Sequence, residues 1–489
     1  MEESMRKQLE KWHQLQEYQK IVDAVEAMPK AARDYEMNGL LARAYNNLDQ
    51  YGKALQLLIP YAKEGQNDPA WLYRTAYAHY YLHQERQALL LFQKVLELCP
   101  GDEDVEEFIQ MCKTDLAWPV ATPFARRMET FWQVFVREEE KLRQLLTKKE
   151  TLQQAVLLTQ RLLNLGFRHV FFELGMREGK CELSLTPDGA RHRLFKLMYW
   201  QQTAPKELQE HWNFKVGRQA CGPQVGLRVG NIELRSADVQ VWAQAQDNQQ
   251  ASLALYCEKL LPYLQDKNPK VVLQAKRALS ILLDQRIGEL SHIRHITKLE
   301  VLTEPRTGES SILLDDVEGW IVESLYQGDW EKAKNFDPCA VFQAYRLAPP
   351  AAEQRVVPRA DVAVGFTACP EVVQGYYHND PRLVEEELAD GVVYGFLYYK
   401  NAPGADRERA LLRAGLEQAI AKKCAPFGRA IGGAVGEDCS YIDVVCWDMP
   451  TFLKEAAPIL FSAGLKEPRF HVYRMDCGAV GINPTQPEK

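Results

Sequence analysis

Three observations predict a multidomain α plus α+β chain, in which a helical repeat stack is followed by mixed α/β domains. Apolar and small residues recur at a 34-residue interval between residues 35 and 100. From Phe167 onward the hydrophobic period changes from helical to alternating, the pattern of strands with one face buried. Between residues 361 and 478 the elements run β-α-β-β-α-β, the order of a four-stranded ferredoxin-like sandwich. A chain of 489 residues has room for several such domains, each with its own core.

The repeat is read from matched positions. Leu41, Ala42, Tyr45, Leu48, Ala54 and Leu58 stand 34 residues before Thr75, Ala76, His79, Leu82, Ala88 and Phe92. Small residues at 42, 54, 76 and 88 allow helices to cross closely, and the large ones fill the gaps between them. Pro100 ends the second pair, because proline cannot continue a helix. Residues 5–28 read as a further hairpin, with Tyr18, Ile21 and Val25 matching Tyr51, Ala54 and Leu58 at an offset of 33. Residues 102–116 supply a cap whose early acids face the positive end of the helix dipole. Trp118-Pro119 then breaks the pattern, so the helical repeat domain is expected to span residues 1–117.

This stretch resembles the tetratricopeptide repeat (TPR) family, with Asn38 and Leu72 in place of the usual tryptophan and Ala42 and Ala76 in place of glycine. The resemblance covers roughly the first quarter of the chain and implies the binding of a protein or peptide segment. In such a stack, the first helix of each pair lines the binding face. That puts Arg43, Asn46 and Asn47 there from one unit and Tyr73, Tyr77 and Tyr80 from the next. The three tyrosines follow i, i+4, i+7 spacing and share one helical stripe. Tyrosine offers a large amphipathic contact at low entropic cost. The same stripe could instead pack against a neighbouring helix. The set does not reproduce the Lys/Asn/Arg clamp with which some TPR proteins hold a C-terminal carboxylate. Arg43 is the main formal cation of the face, so binding is expected to tolerate moderate salt.

Residues 118–166 form a helical connector. Phe124, Met128, Phe131, Trp132 and Phe135 make its apolar stripe, and the following REEEK run reads as a solvated face of mixed sign. Residues 167–310 contain two consecutive hairpin–helix–strand sets, a duplicated ββαβ domain. Residues 311–360 carry turn signals throughout and read as a linker region, and residues 361–489 hold the ferredoxin-like α/β domain. Residues 167–478 also resemble uncharacterised bacterial α/β domains, some of them linked to toxin immunity.

Several constellations could carry chemistry. Gly428, Gly432, Gly433 and Gly436 resemble a phosphate loop, but a strand follows them where a phosphate cradle needs a helix N-terminus, so a glycine-rich hairpin or bulge is expected. Asp438, Asp443 and Asp448 flank or occupy one strand. Asp443, among apolar neighbours, could serve as a base or metal ligand, or lie on an exposed strand edge. His292 and His295 are too close for an i, i+4 metal pair. His79 and His83 have that spacing but no third ligand nearby in sequence. Trp212, Trp242 and Trp447 read as core anchors. No metal ligand, catalytic residue or cofactor site is therefore expected.

Composition sets the remaining bounds. A net charge of −7 argues against a nucleic-acid partner, no apolar run is long enough for a membrane span, and the N-terminus lacks the apolar core of a signal peptide. Eleven cysteines without CxxC spacing suit free thiols in a reducing cytoplasm. The expectation is a cytoplasmic, non-enzymatic interaction protein of unspecified oligomeric state. One alternative is an immunity-type or antitoxin-like inhibitor that uses acidic α/β domains. Another is an enzyme centred on Asp443.

Overall fold

The computed structural model describes residues 3–82, 84–117, 122–355 and 357–483. The predicted break at Trp118-Pro119, and His83 of the His79/His83 pair, lie outside the described residues. The chain divides into two compact units, Met1–Val120 with Arg469–Ile482, and Ala121–Pro468 with Asn483–Lys489.

The first unit is built from helices at Glu3–Gln14 and Tyr18–Glu26, Tyr35–Asn47 and Tyr51–Leu58, and Pro69–Tyr81 and Glu85–Leu98, closed by Glu103–Ala117. The first helices of the second and third pairs start alike. The Asp34 carboxylate accepts from Met37 N at 2.8 Å, and the Asp68 carboxylate accepts from Ala70 N at 2.9 Å, with Pro69 at the first helical position. Ala42, Ala54, Ala76 and Ala88 are all fully buried in one core with Leu41, Leu72 and Phe92. Asn38 is buried within the stack. Its amide is satisfied by the carbonyls of Arg33 and Asp34 and by the Tyr61 hydroxyl, all at 3.0–3.1 Å. Neighbouring pairs are also tied by polar bonds. Tyr35 donates to Asp68 at 2.6 Å, and Asn46 Nδ2 donates to Arg74 O at 2.9 Å. The segment Arg469–Ile482 belongs to this unit, where Gly478 N donates to Lys113 O at 3.1 Å.

The second unit opens with helices Phe124–Leu146 and Leu152–Leu163. The apolar stripe of the first packs on the strand region that follows. Trp132 stacks on Trp200 at 5.7 Å and meets Phe214 edge-on at 5.0 Å, while Phe135 meets Trp212 at 5.2 Å. Strands β1 (Phe171–Arg177), β2 (Lys180–Thr186) and β3 (Trp212–Val216) form a three-stranded sheet. In it β1 and β2 are antiparallel, and helix Arg191–Gln202 leads to β3 parallel to β2.

After a short β4 (Gly226–Val229) and β5 (Ile232–Arg235) hairpin, the same pairing recurs. β6 (Gln240–Gln246) and β7 (Gln250–Tyr256) are antiparallel, and helix Pro269–Ile287 leads to β8 (Ile296–Leu302), parallel to β7. A two-residue β9 (Ile312–Leu313) joins the free side of β6. Residues 311–360, read from sequence as a linker region, also hold helix Val317–Tyr326. Val317, Ile321 and Val322 of that helix are buried in the core of this second set.

The last sheet of the unit runs β10 (Gln343–Arg346), β11 (Val364–Thr367), β13 (Gly428–Val435), β14 (Cys439–Cys446), β12 (Val393–Lys400). The helices that accompany it include Pro370–Tyr377, Arg382–Asp390, Asp406–Lys423 and Met449–Ser462. A four-stranded ferredoxin-like sandwich would leave β13 at an edge. Here β11 and β10 extend the sheet beyond it, so β13 is interior. The glycines explain the extension. Gly432 has φ +151° at a bulge, and a Cβ there would lie 2.2 Å from the Phe366 carbonyl of β11. The glycine run is thus a site of close strand approach.

His292 and His295 have structural partners. His292 Nδ1 is 2.6 Å from the Asp284 carboxylate, and His295 Nε2 is 2.8 Å from the Tyr326 hydroxyl. Burial lowers the His295 pKa from 6.5 to about 4. The unfolded chain therefore takes up the proton first as pH falls, and stability is lost between pH 6.5 and 4. The full shift corresponds to about 3 kcal/mol. A His295→Gln variant should show a shallower acid dependence of denaturant midpoint in this window than the native chain.

The buried alanines give a second expectation. Ala76→Leu should overpack a helix crossing and cost roughly 1–3 kcal/mol, read as a lowered melting temperature. An unchanged melting temperature would count against the register.

Candidate protein-binding face

The first helices of the three pairs place a set of charged side chains together at one end of their shared face. Arg6, Glu10, His13 and Gln14 come from Glu3–Gln14, Glu36, Leu40 and Arg43 from Tyr35–Asn47, and Arg74 from Pro69–Tyr81. They line a cavity of about 330 Å³. Arg6 is already matched, being bonded to Glu36 and 3.6 Å from Glu10. Arg43 and Arg74 are different. Neither guanidinium has a hydrogen bond or ion pair among the described residues, and Arg43 Nε is buried without a partner. Arg74 lies across the middle helix, where a Cβ on Gly39 would come within 2.7 Å of its Nη1.

The two guanidiniums are close enough to affect each other. Burial lowers the Arg74 pKa first, and repulsion from Arg43 lowers it further. Burial, then Arg43 and Arg74, also lowers the pKa of His13, whose Nδ1 has no partner either. The cluster is therefore a group of half-buried donors lacking an acceptor. A carboxylate placed among them would accept charge-assisted hydrogen bonds and relieve the repulsion.

The residues expected on this face from sequence occupy several environments. Arg43 lines the cavity. Asn46 is buried between helices through its bond to Arg74 O, and exposed Asn47 donates to Arg43 O within its own helix. Tyr73, Tyr77 and Tyr80 share a stripe, partly buried around Phe108 of the capping helix at ring distances of 6.1, 5.5 and 5.6 Å. Tyr80 also donates to Asp115 at 2.9 Å. Burial raises the pKa of all three hydroxyls, which stay neutral at physiological pH. Arg43 is also not the main cation, since Arg74 and Arg6 stand beside it, so the expectation of salt tolerance does not follow. Arg74 could have been found from the sequence, because Arg6, Leu40 and Arg74 occupy equivalent positions 34 residues apart.

Asp443 sits in β14 between β12 and β13, fully buried, and not at an exposed edge. Its carboxylate is paired with the equally buried Arg359 guanidinium, which lies 5.1 Å from the ring centres of both Phe396 and Tyr441. A second carboxylate, Asp361, accepts from Tyr441 at 2.6 Å and from Asp438 N and Cys439 N at 2.9 Å. Asp448 caps helix Met449–Ser462, and Asp438 is 3.1 Å from Arg355. Trp212 and Trp447 pack in aromatic clusters, Trp447 stacked on Tyr199 at 5.0 Å, and buried Trp242 reaches Glu309 O. His79 is hydrogen-bonded to Gln84 at 2.6 Å. Asp443→Asn removes one charge of a fully buried pair and should cost about 3–5 kcal/mol in equilibrium unfolding. A loss below about 1 kcal/mol would show that the pair does not hold the sheet.

Among the described residues no helix is long and apolar enough to cross a membrane. No family model and no solved structure matches the chain. Its N-terminal part is similar to the TPR repeat-containing protein YpiA of Bacillus subtilis (strain 168), at 33% identity over 101 residues. That match covers 20% of this chain and 23% of YpiA, so the chain spans under a quarter of the relative's length.

Proposed function

We propose that the N-terminal helical stack is a non-enzymatic protein-recognition module that takes an acidic segment of a partner along its first-helix face. The observation that carries this reading is the pair of guanidiniums, Arg43 and Arg74, half-buried on one cavity without an acceptor among the described residues. The similarity to a TPR repeat-containing protein supports protein binding by the same stretch. Tyr73, Tyr77 and Tyr80 extend the face toward the capping helix and offer amphipathic contact beyond the charged end. Asn46 and Asn47 hold the helix backbones beneath it.

A labelled Asp/Glu-rich peptide and its Lys/Arg-rich counterpart, titrated with the full chain in fluorescence anisotropy, test the reading. The acidic peptide should bind and the basic one should not. Arg43→Ala with Arg74→Ala should weaken binding about tenfold or more. Affinity should also fall as ionic strength rises from about 50 to about 300 mM, because salt screens the long-range attraction between the solvated acidic peptide and the cationic end of the face. Tyr73→Ala with Tyr77→Ala, checked for intact helicity, should cost about 2 kcal/mol or more, roughly thirtyfold in affinity. Binding retained in both double variants would move the site to the strand-containing unit, where an immunity-type inhibitor would bind its target.

A further inference from the structure

The strand-containing unit holds a second cluster, separate from the helical face, in which buried ligand atoms lack partners. His192 lies at the start of helix Arg191–Gln202, and Glu386 and Glu387 lie on helix Arg382–Asp390. One ring nitrogen of His192 and one carboxylate oxygen of each glutamate all fall within 4.8 Å of one another. His192 is only 4% exposed, yet neither ring nitrogen has a hydrogen bond. Glu387 is fully buried; its Oε1 receives Lys196 Nζ at 3.0 Å, while its Oε2 has no partner. Dry, unpaired ligand atoms of this kind are costly, and here an imidazole and a carboxylate that carry them lie side by side.

The surroundings fit a cation. Glu371, Glu386, Glu387 and Asp390 face Lys196 and Arg193, which leaves an excess of negative charge. Arg193 holds Glu386 at 2.7 Å, and Lys196 also holds Asp390 at 2.8 Å. Arg191 acts on Glu371 at longer range, with its own donors given to Val341 O and Ile293 O. Glu371 Oε1 lies 3.6 Å from His192 Nδ1, close enough to add to the negative field around the ring but not to hydrogen-bond it. Glu386 lines a cavity of about 450 Å³ that also reaches Lys196 and Arg193, so one side of the cluster adjoins open space.

We propose that His192, Glu386 and Glu387 bind one divalent transition-metal ion, zinc by preference. One imidazole with two carboxylates is a nitrogen–oxygen donor set that suits zinc better than the all-oxygen sets of magnesium or calcium. Lys196 remains on the other oxygen of Glu387, so that carboxylate binds through Oε2.

The test uses the full chain stripped with a chelator and titrated with Zn²⁺, Co²⁺ and Mg²⁺ by calorimetry and absorption. Eleven cysteines, Cys99 and Cys221 exposed among them, could also take zinc, so the cobalt spectrum is needed to separate the two sources. The expected result is one equivalent of Zn²⁺, weak or undetectable Mg²⁺ binding, and a cobalt complex without the thiolate charge-transfer band. Glu387→Gln keeps an oxygen for Lys196 and should lose the site by about tenfold or more in affinity, and His192→Ala should do the same. Absence of zinc uptake by the native chain would overturn the proposal. So would a thiolate band, or undiminished binding in folded Glu387→Gln. Should His192→Ala fail to fold, Glu387→Gln alone decides. A chain that takes no zinc and gains thermal stability from Glu387→Gln would instead mean that a proton on Glu387 neutralises the cluster.

Discussion

Asp443 and Arg359 are both removed from water in the interior of the strand-containing unit, and neither could remain there without the other. The requirement that a buried charge be matched where it sits organises much of this molecule. Around the pair, Phe396 and Tyr441 enclose the guanidinium, and Tyr441 passes its own hydrogen bond to Asp361, which also collects two backbone amides. The same rule operates where the end of β2 meets the start of helix Glu289–His295. Fully buried Glu289 accepts from Thr186 at 2.6 Å and from the amides of Gly189 and Arg218 at 2.9 Å. The Arg218 side chain is in turn shared by Asp188 and Asp284. These networks account for polar residues in strands and helices that would otherwise read as apolar core.

Against that background, the unmatched groups are informative. Arg43 and Arg74 are both partly withdrawn from water and repel each other, and His192 and Glu387 Oε2 are buried with nothing to bond. The first pair calls for an anion and the second for a cation. The first pair lines a cavity on the face of the helical stack, and Glu386 beside the second lines one in the strand-containing unit. The Asp443 carboxylate, by contrast, is already paired with Arg359.

The helical stack follows a different constraint. Each helical pair can bury its apolar face only against its neighbours, so close crossings need small residues at fixed positions. Ala42, Ala54, Ala76 and Ala88 meet that need, and Phe108 closes the far end by packing on Phe92 at 4.8 Å and on the tyrosine stripe. The tyrosines therefore have two environments, one side of each ring in the stack and the remainder toward the face.

What the sequence determined by itself was local. The 34-residue interval, the change of period at Phe167 and the order hairpin–helix–strand are all visible because periodicity reports which face of an element is buried. The tertiary structure decided which distant residues meet. Arg359 and Asp443 are 84 residues apart, Lys196 and Glu387 are 191 apart, and β11 reaches β13 because Gly432 leaves room for its backbone. A periodic pattern can mark a position as buried, but a buried charge takes its partner from whichever element packs against it, and that choice is made only when the elements come together.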